Sequence, residues 1–77
     1  MDKIYHKSLP EKTADGISDL IYRENYGAGA KLPGEKELAA RLEVSRNTVR
    51  QAIRILREKQ IVEVRRGAGT FVSARRG

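Results

Sequence analysis

Two helical patterns in the middle of the chain lie so close together that few folds can contain both. Residues 35–42 carry apolar side chains on one face of a predicted helix. Only Glu43 and Val44 then precede Ser45, whose hydroxyl is well suited to cap a further helix. Two helices joined by so tight a turn must cross steeply instead of lying antiparallel.

A steep crossing at a tight turn is the helix-turn-helix arrangement, and its second helix has the more regular pattern. Its apolar residues fall at positions i, i+3, i+4 and i+7, namely Val49, Ala52, Ile53 and Leu56. We expect this helix to end near Lys59 and Gln60, where β-branched residues follow. A further helix is predicted upstream in "SLPEKTADGISDLIYREN", where Ser8 and Glu11 can form a capping box.

The stretch after these helices alternates apolar and polar residues, as a half-buried strand does. "IVEV" and "TFVS" both show the alternation and flank the flexible tip "RGAG", so residues 61–73 predict a β-hairpin. A lone hairpin is marginal in water, and we expect Ile61, Val64 or Phe71 to pack it against the helices. The predicted fold class is therefore mainly α with a small β-hairpin.

With 77 residues the chain can form one small domain. We place it at residues 8–73, between an N-terminal segment at 1–7 and the start of a linker at 74–77. The absence of cysteine excludes disulfides and thiolate metal sites. No apolar run reaches the roughly 18 residues of a membrane span, and the polar N-terminus lacks a signal-peptide core. We expect a cytoplasmic protein with no metal and no membrane partner.

Positive charge is concentrated in the second half of the chain. Residues 45–77 carry nine Lys or Arg against two Asp or Glu, whereas residues 1–44 carry seven against eight. So uneven a distribution is typical of a protein that binds a polyanion, either nucleic acid or an anionic membrane surface. A basic face that only keeps the protein in solution is the alternative.

Four arginines of the third helix form a stripe about a quarter turn from its apolar face, namely Arg46, Arg50, Arg54 and Arg57. No acid stands four residues from Arg46 or Arg50, and we expect the guanidinium groups of the whole stripe to be free for an outside anion. The planar guanidinium matches both phosphate and the major-groove acceptors of guanine. Duplex DNA offers both, which favours DNA as the partner.

The first turns of a recognition helix are the part that reaches base edges in the major groove. In this sequence the residues of those first turns are Ser45, Arg46, Asn47, Thr48 and Arg50. Asn47 can pair with adenine or contact a phosphate. Farther along the helix, Arg54 and Arg57 are assigned to backbone contact or to solvent.

The predicted hairpin tip extends the basic surface. Arg65 and Arg66 lead into Gly67 and Gly69, which permit close approach to a sugar–phosphate backbone or a minor groove. Catalysis is not predicted, because His6 is the only histidine and has no serine, cysteine or carboxylate constellation around it.

Three motifs follow one another along the chain as "LPGEKELA", "VSRNTVRQAI" and "RRGAGTFV". Together with the preceding helix they resemble the winged helix-turn-helix DNA-binding domain of GntR-family bacterial transcription regulators. The residues for which the resemblance implies DNA contact are Lys36, Arg46 and Arg50 with their polar neighbours, and Arg66 and Gly67 at the tip of the wing.

The resemblance also implies a transcription regulator, by default a repressor, that acts on a palindromic operator in double-stranded DNA. Members of the family continue into a C-terminal domain that binds a small-molecule effector and dimerises. We therefore expect a homodimer when full-length or on DNA, an effector bound only through that missing domain, and no cofactor in this one. The alternative function is a winged-helix protein-interaction module, whose exposed face should be apolar.

Three residues depart from the family pattern. Gly34 stands where a serine N-cap is usual, so the second helix lacks a capping hydroxyl. Lys36 stands where arginine is usual and keeps the charge without the bidentate fork, which favours phosphate contact over base reading. Glu43 stands where glycine is frequent, at the turn between the two helices.

Overall fold

A computed structural model describes residues 6–74 and contains three helices and a two-stranded hairpin. The elements are α1 (Leu9–Arg23), α2 (Glu35–Leu42), α3 (Arg46–Glu58), β1 (Val62–Arg65) and β2 (Gly69–Val72). They confirm the predicted order and fold class, and α2 has the predicted bounds. Most of the predicted N-terminal segment and of the predicted linker falls outside the described residues.

Side-chain caps set the starts of two helices. The Ser8 side chain accepts a hydrogen bond from the Glu11 amide, and the Glu11 carboxylate accepts one from the Ser8 amide at 2.8 Å. This reciprocal pair confirms the predicted capping box. Ser45 caps α3, whereas Gly34 gives α2 no side-chain cap. The short α2 helix therefore depends chiefly on packing for its stability.

One apolar core joins the three helices and the hairpin. Its buried members are Ala14, Ile17, Leu20, Leu32, Leu38, Ala39, Val49, Ala52, Leu56, Val62 and Val72. Ile53, which the sequence pattern places in the core, is only partly buried and packs at the edge. Gly16 allows α1 and α2 to approach, because a Cβ at this position would lie 3.1 Å from Leu42 Cδ2.

The turn between α2 and α3 is left-handed at Glu43, with φ 56° and ψ 47°. The next residue, Val44, donates its amide hydrogen bond to the Ala39 carbonyl at 3.1 Å and so closes the end of α2. A residue with a Cβ in this conformation costs about 1 kcal/mol relative to glycine. This geometry explains why glycine is frequent at the position that Glu43 occupies here.

The hairpin pairs β1 and β2 in antiparallel register, with Val62 opposite Val72. The segment before α2 joins the free edge of β2, because the Leu32 amide donates to the Thr70 carbonyl and the Val72 amide donates to the Ala30 carbonyl, both at 2.8 Å. The predicted lone hairpin thus has a third extended segment along β2, which adds backbone hydrogen bonds to it.

The predicted anchors of the hairpin are partly wrong. Val62 and Val72 are buried, whereas Val64 is 45% exposed. Val64 lies on the same face of β1 as Val62, but farther toward the tip, where it lines a cleft instead of the core. Phe71 is on the opposite face, half-buried, with the Arg65 guanidinium 4.0 Å from its ring centroid. Ile61 is half-buried and packs against the core as predicted.

Candidate nucleic-acid interface

The first turn of α3 is held by hydroxyl groups. Ser45 Oγ accepts a hydrogen bond from the Thr48 amide at 3.0 Å and lies 2.9 Å from the Thr48 hydroxyl. Ser45 and Thr48, both predicted to contact DNA, therefore also stabilise the start of the helix that carries the arginines. Asn47, between them, is exposed, and its side-chain carbonyl accepts a hydrogen bond from Arg50 Nη1 at 3.2 Å.

The sequence pattern within α3 suggested that Arg46 and Arg50 have no acidic partner. This expectation is wrong, because the partner comes from another helix. Glu35, the first residue of α2, accepts a hydrogen bond from Arg46 Nε at 3.0 Å and another from Arg50 Nε at 2.9 Å. One carboxylate thus binds both guanidinium groups through their Nε atoms. The two arginine side chains remain 59% and 58% exposed, so they are at once oriented and accessible.

The charge state of Glu35 follows from its surroundings. Partial burial acts to raise the pKa of Glu35, but the hydrogen bonds from Arg50 and Arg46 outweigh it and hold that pKa below its ordinary value of 4.5. The carboxylate is therefore ionised at neutral pH and offsets one of the two positive charges. The first turns of α3 keep a net positive charge.

The other predicted contact residues are exposed and lie in two places, on α2 and at the hairpin tip. Lys36 is on the first turn of α2, and Arg66 and Gly67 are at the hairpin tip, where Gly67 has a φ of +76°. Among the described residues, neither Lys36 nor Arg66 has an ion-pair partner. The structure brings Arg46, Asn47 and Arg50 together around Glu35 and places the wing tip separately.

Sequence reasoning missed two residues of this face, Glu35 and Lys31. Glu35 stands 11 and 15 positions from its arginine partners, so only the crossing of α2 and α3 brings them together. Lys31 lies across the wing, with its Cε 2.9 Å from the position that a Cβ would take at Gly69. Both residues line a cleft of about 460 Å³ between α3 and the hairpin.

Other kinds of site find no support in the described part of the chain. Residues 6–74 contain no group of three or more His, Cys, Asp or Glu that could hold a metal ion. Within the same residues, no helix is both long and apolar enough to cross a membrane. His6 is exposed and has no resolved partner there.

Comparison with known proteins places these features in a family. Over 71 residues, 92% of its length, the chain is 45% identical to the "Mannosyl-D-glycerate transport/metabolism system repressor MngR" of Escherichia coli (strain K12) and covers 30% of that protein. Across its curated relatives the chain spans only about a quarter of the full length, from 22% in one to 30% in another.

Solved structures agree with the sequence relatives. A protein described as "Streptococcus agalactiae GntR" superposes with a TM-score of 0.82 and 49% identity, over 84% of this chain and 31% of that one. A structure described as "AraR(DBD) in complex with operator ORR3" superposes with a TM-score of 0.78 and 29% identity, over 95% of this chain and 88% of that one. The architecture of three helices and a wing is common to these proteins.

A family model also matches the chain. The model of the family described as "Bacterial regulatory proteins, gntR family" matches residues 9–72. This range is most of the chain and contains the three motifs "LPGEKELA", "VSRNTVRQAI" and "RRGAGTFV". The relatives at the sequence level and the structural neighbours agree with that match. The chain therefore belongs to the gntR family of bacterial regulatory proteins.

Proposed function

We propose that this chain is the DNA-binding domain of a bacterial transcription regulator that recognises a specific sequence in duplex DNA. The observation that carries the proposal is the exposed first turn of α3, where Glu35 orients Arg46 and Arg50 side by side. Preorganised guanidinium groups lose less conformational freedom on binding, and their free edges match guanine in the major groove. AraR(DBD), a protein of similar fold, has been solved in complex with an operator, which supports DNA binding by this domain.

In this mode α3 enters the major groove, with Ser45, Arg46, Asn47, Thr48 and Arg50 nearest to the bases. Arg46 and Arg50 read base edges, whereas Lys36 on α2 contacts a phosphate, since lysine acts as a point charge. Arg66 and Gly67 at the wing tip approach the backbone or enter the adjacent minor groove. No cofactor or catalytic step is needed for such binding.

The intact regulator is proposed to be a cytoplasmic repressor that binds a palindromic operator as a homodimer. A name that includes "repressor" for a relative at 45% identity supports the direction of regulation. The small covered share of the relatives leaves room for a separate domain that binds an effector and dimerises. A two-fold symmetric protein predicts half-sites separated by about one helical turn of DNA.

The direct test is selection of bound sequences from a random duplex pool, followed by titration of the selected and a scrambled duplex at two salt concentrations. We expect a defined selected sequence, and affinity that falls steeply as salt rises. Replacing Arg50 by alanine should cost about 1–3 kcal/mol on the selected duplex and relax preference at one base position. The matched control is Arg23→Ala, which removes an exposed arginine from α1.

Two outcomes would contradict the proposal. Salt-insensitive or absent DNA binding by the wild-type chain would leave the protein-interaction module as the better explanation. Equal losses on the selected and scrambled duplexes in both Arg46→Ala and Arg50→Ala would mean that α3 does not read bases, and the chain would be a non-specific basic binder.

A further inference from the structure

The cleft between α3 and the hairpin has a defined place in the proposed DNA complex. In duplex DNA the major and minor grooves are separated by a single sugar–phosphate backbone. If α3 lies in the major groove while the wing tip lies at the adjacent minor groove, that backbone must cross the space between them. The cleft of about 460 Å³ occupies this space, between Arg54 on α3 and Thr70 on β2.

The cleft contains positive charge that nothing in the described part of the chain neutralises. Lys31, Arg54 and Arg57 line it, and none of the three has an ion-pair partner within residues 6–74. The one acid of the lining is Glu35, whose carboxylate is already bound by Arg46 and Arg50. The unpaired cations are therefore the groups available to an entering anion.

Backbone contacts fix the position of Lys31. Lys31 forms an isolated antiparallel bridge with Phe71, and the amide of the next residue, Leu32, donates to the Thr70 carbonyl at 2.8 Å. Its side chain then runs over Gly69, where a Cβ would come within 2.9 Å of Lys31 Cε and within 3.7 Å of Nζ. The absence of a side chain at Gly69 thus leaves the space in which the ammonium group lies.

We propose that the cleft binds one backbone phosphate of the duplex, with Lys31 on the wing side and Arg54 on the α3 side as its donors. This inference rests on the proposed function and adds a phosphate site between its two contact regions. Lysine and arginine both donate charge-assisted hydrogen bonds to phosphate oxygens. The contact fixes the position of the wing relative to α3 on DNA and carries no base preference.

The test compares Lys31→Ala and Arg54→Ala with Lys12→Ala and Arg23→Ala, which remove exposed cations from α1. Affinities are measured on the selected and the scrambled duplex over a range of salt. Each cleft variant should lose about tenfold at low salt on both duplexes, as expected for one charged hydrogen bond. Each should also reduce the salt slope by about one unit, because one fewer counterion is released. The α1 variants should match the wild type.

A double variant tests whether the two donors bind the same phosphate. Lys31→Ala with Arg54→Ala should lose less affinity than the product of the two single losses, because the phosphate contact can be lost only once. Lys31→Arg keeps the charge and should restore the salt slope. Thermal melting without DNA should be unchanged in all the cleft variants, since the side chains they remove are exposed.

The results that overturn the inference differ from those that overturn the proposed function. If the wild type binds with strong salt dependence but both cleft variants behave like Lys12→Ala, the cleft holds no phosphate and the function stands. If the cleft variants lose affinity only on the selected duplex, the residues read bases and the phosphate site is wrong. Conversely, if inorganic phosphate weakens wild-type binding more than chloride does at equal ionic strength, while the Lys31→Ala variant is insensitive, the result supports a phosphate site in the cleft.

Discussion

The two proposed contact regions of this domain are built in opposite ways. At the start of α3, a carboxylate from another helix and an amide from the same helix hold the guanidinium groups of two arginines. At the wing tip, Arg66 is exposed beside a glycine and has no ion-pair partner within residues 6–74. An oriented group can discriminate between bases, whereas an unrestrained one can only follow the nearest phosphate or groove. In the proposed function, this difference predicts selectivity at α3 and adaptable contact at the wing.

The largest effect should follow from removing a core side chain of α2. Leu38→Ala deletes a side chain that is 1% exposed and should cost about 2–5 kcal/mol of unfolding free energy. DNA affinity should fall with stability. Val64→Ala, on the exposed part of the wing, is the matched control and should cost less than about 0.5 kcal/mol. Equal melting temperatures for the two variants, measured by circular dichroism, would refute the assignment of the core face of α2.

The orienting role of Glu35 is tested by removing its negative charge. Glu35→Gln should reduce discrimination between the selected and scrambled duplexes by about tenfold. This factor corresponds to the loss of about one hydrogen bond to a charged group. Affinity for the scrambled duplex should rise, because a negative charge near DNA is lost. Glu37→Gln removes a carboxylate from the same helix that has no ion pair among the described residues, and serves as the control. Parallel changes in both variants would mean that Glu35 contributes only its charge.

Acid titration in the absence of DNA tests whether the ion pairs of Glu35 stabilise the fold. The pKa of Glu35 is lowered in the folded state, so its ion pairs contribute stability above the ordinary value of 4.5 and lose it as pH falls through the lowered pKa. Glu35→Gln should therefore lower the melting temperature at neutral pH, and the difference from wild type should vanish in acid. Asp15 and Glu24, whose pKa values are lowered first by hydrogen bonds from Lys7 and Arg41, add to the acid loss in both proteins. A difference that persists in acid would contradict the ion-pair explanation.

A smaller effect is expected at the wing. Arg66→Ala should weaken the selected and scrambled duplexes by the same factor, about 1 kcal/mol, and reduce the salt slope by about one unit. Arg50→Ala in parallel provides the contrast, because its loss should depend on sequence. A loss of preference for A·T-rich flanking sequence in Arg66→Ala would instead place the tip in the minor groove.

The smallest effect should come from the turn that joins the two helices. Glu43→Gly relieves a left-handed conformation and should stabilise the domain by up to about 1 kcal/mol. Glu43→Ala removes the charge but keeps the Cβ, and so separates backbone strain from electrostatics. Discrimination between duplexes should be unchanged in both variants, because α3 keeps its partners. If Glu43→Ala stabilises as much as Glu43→Gly, the benefit is electrostatic.

Features encoded by neighbouring residues were predictable from the sequence. The capping box of Ser8 and Glu11, the bounds of α2 and the cap at Ser45 all depend on residues within four positions of each other, and the structure confirms them. The family motifs were likewise sufficient to predict the winged helix-turn-helix fold, which the three helices, the hairpin and the structural neighbours confirm. The DNA-contact residues remain predictions.

Features that depend on tertiary contact were not predictable. The helical wheel of α3 contains no information about α2, so the two hydrogen bonds of Glu35 to Arg46 and Arg50 could not be read from it. In the hairpin, both Val62 and Val64 suit a half-buried strand. Val64 is exposed because it lies nearer the tip, beyond the part of the strand that packs on the core, and the sequence pattern does not show where that packing ends. Lys31 reaches the cleft because the segment before α2 joins β2, a pairing without a local signal.

The pairing of residues 30–32 with β2 also bears on how the protein behaves at high concentration. An unpaired strand edge can recruit the same edge of another molecule and begin aggregation. Because the Ala30 and Leu32 backbone groups occupy the outer side of β2, the sheet formed by the described residues has its longer open edge on β1. That strand is only four residues long and carries Glu63 and Arg65, charged side chains that disfavour strand addition. We therefore expect the edge of the wing to resist self-association, which leaves its tip available for the proposed contact with DNA.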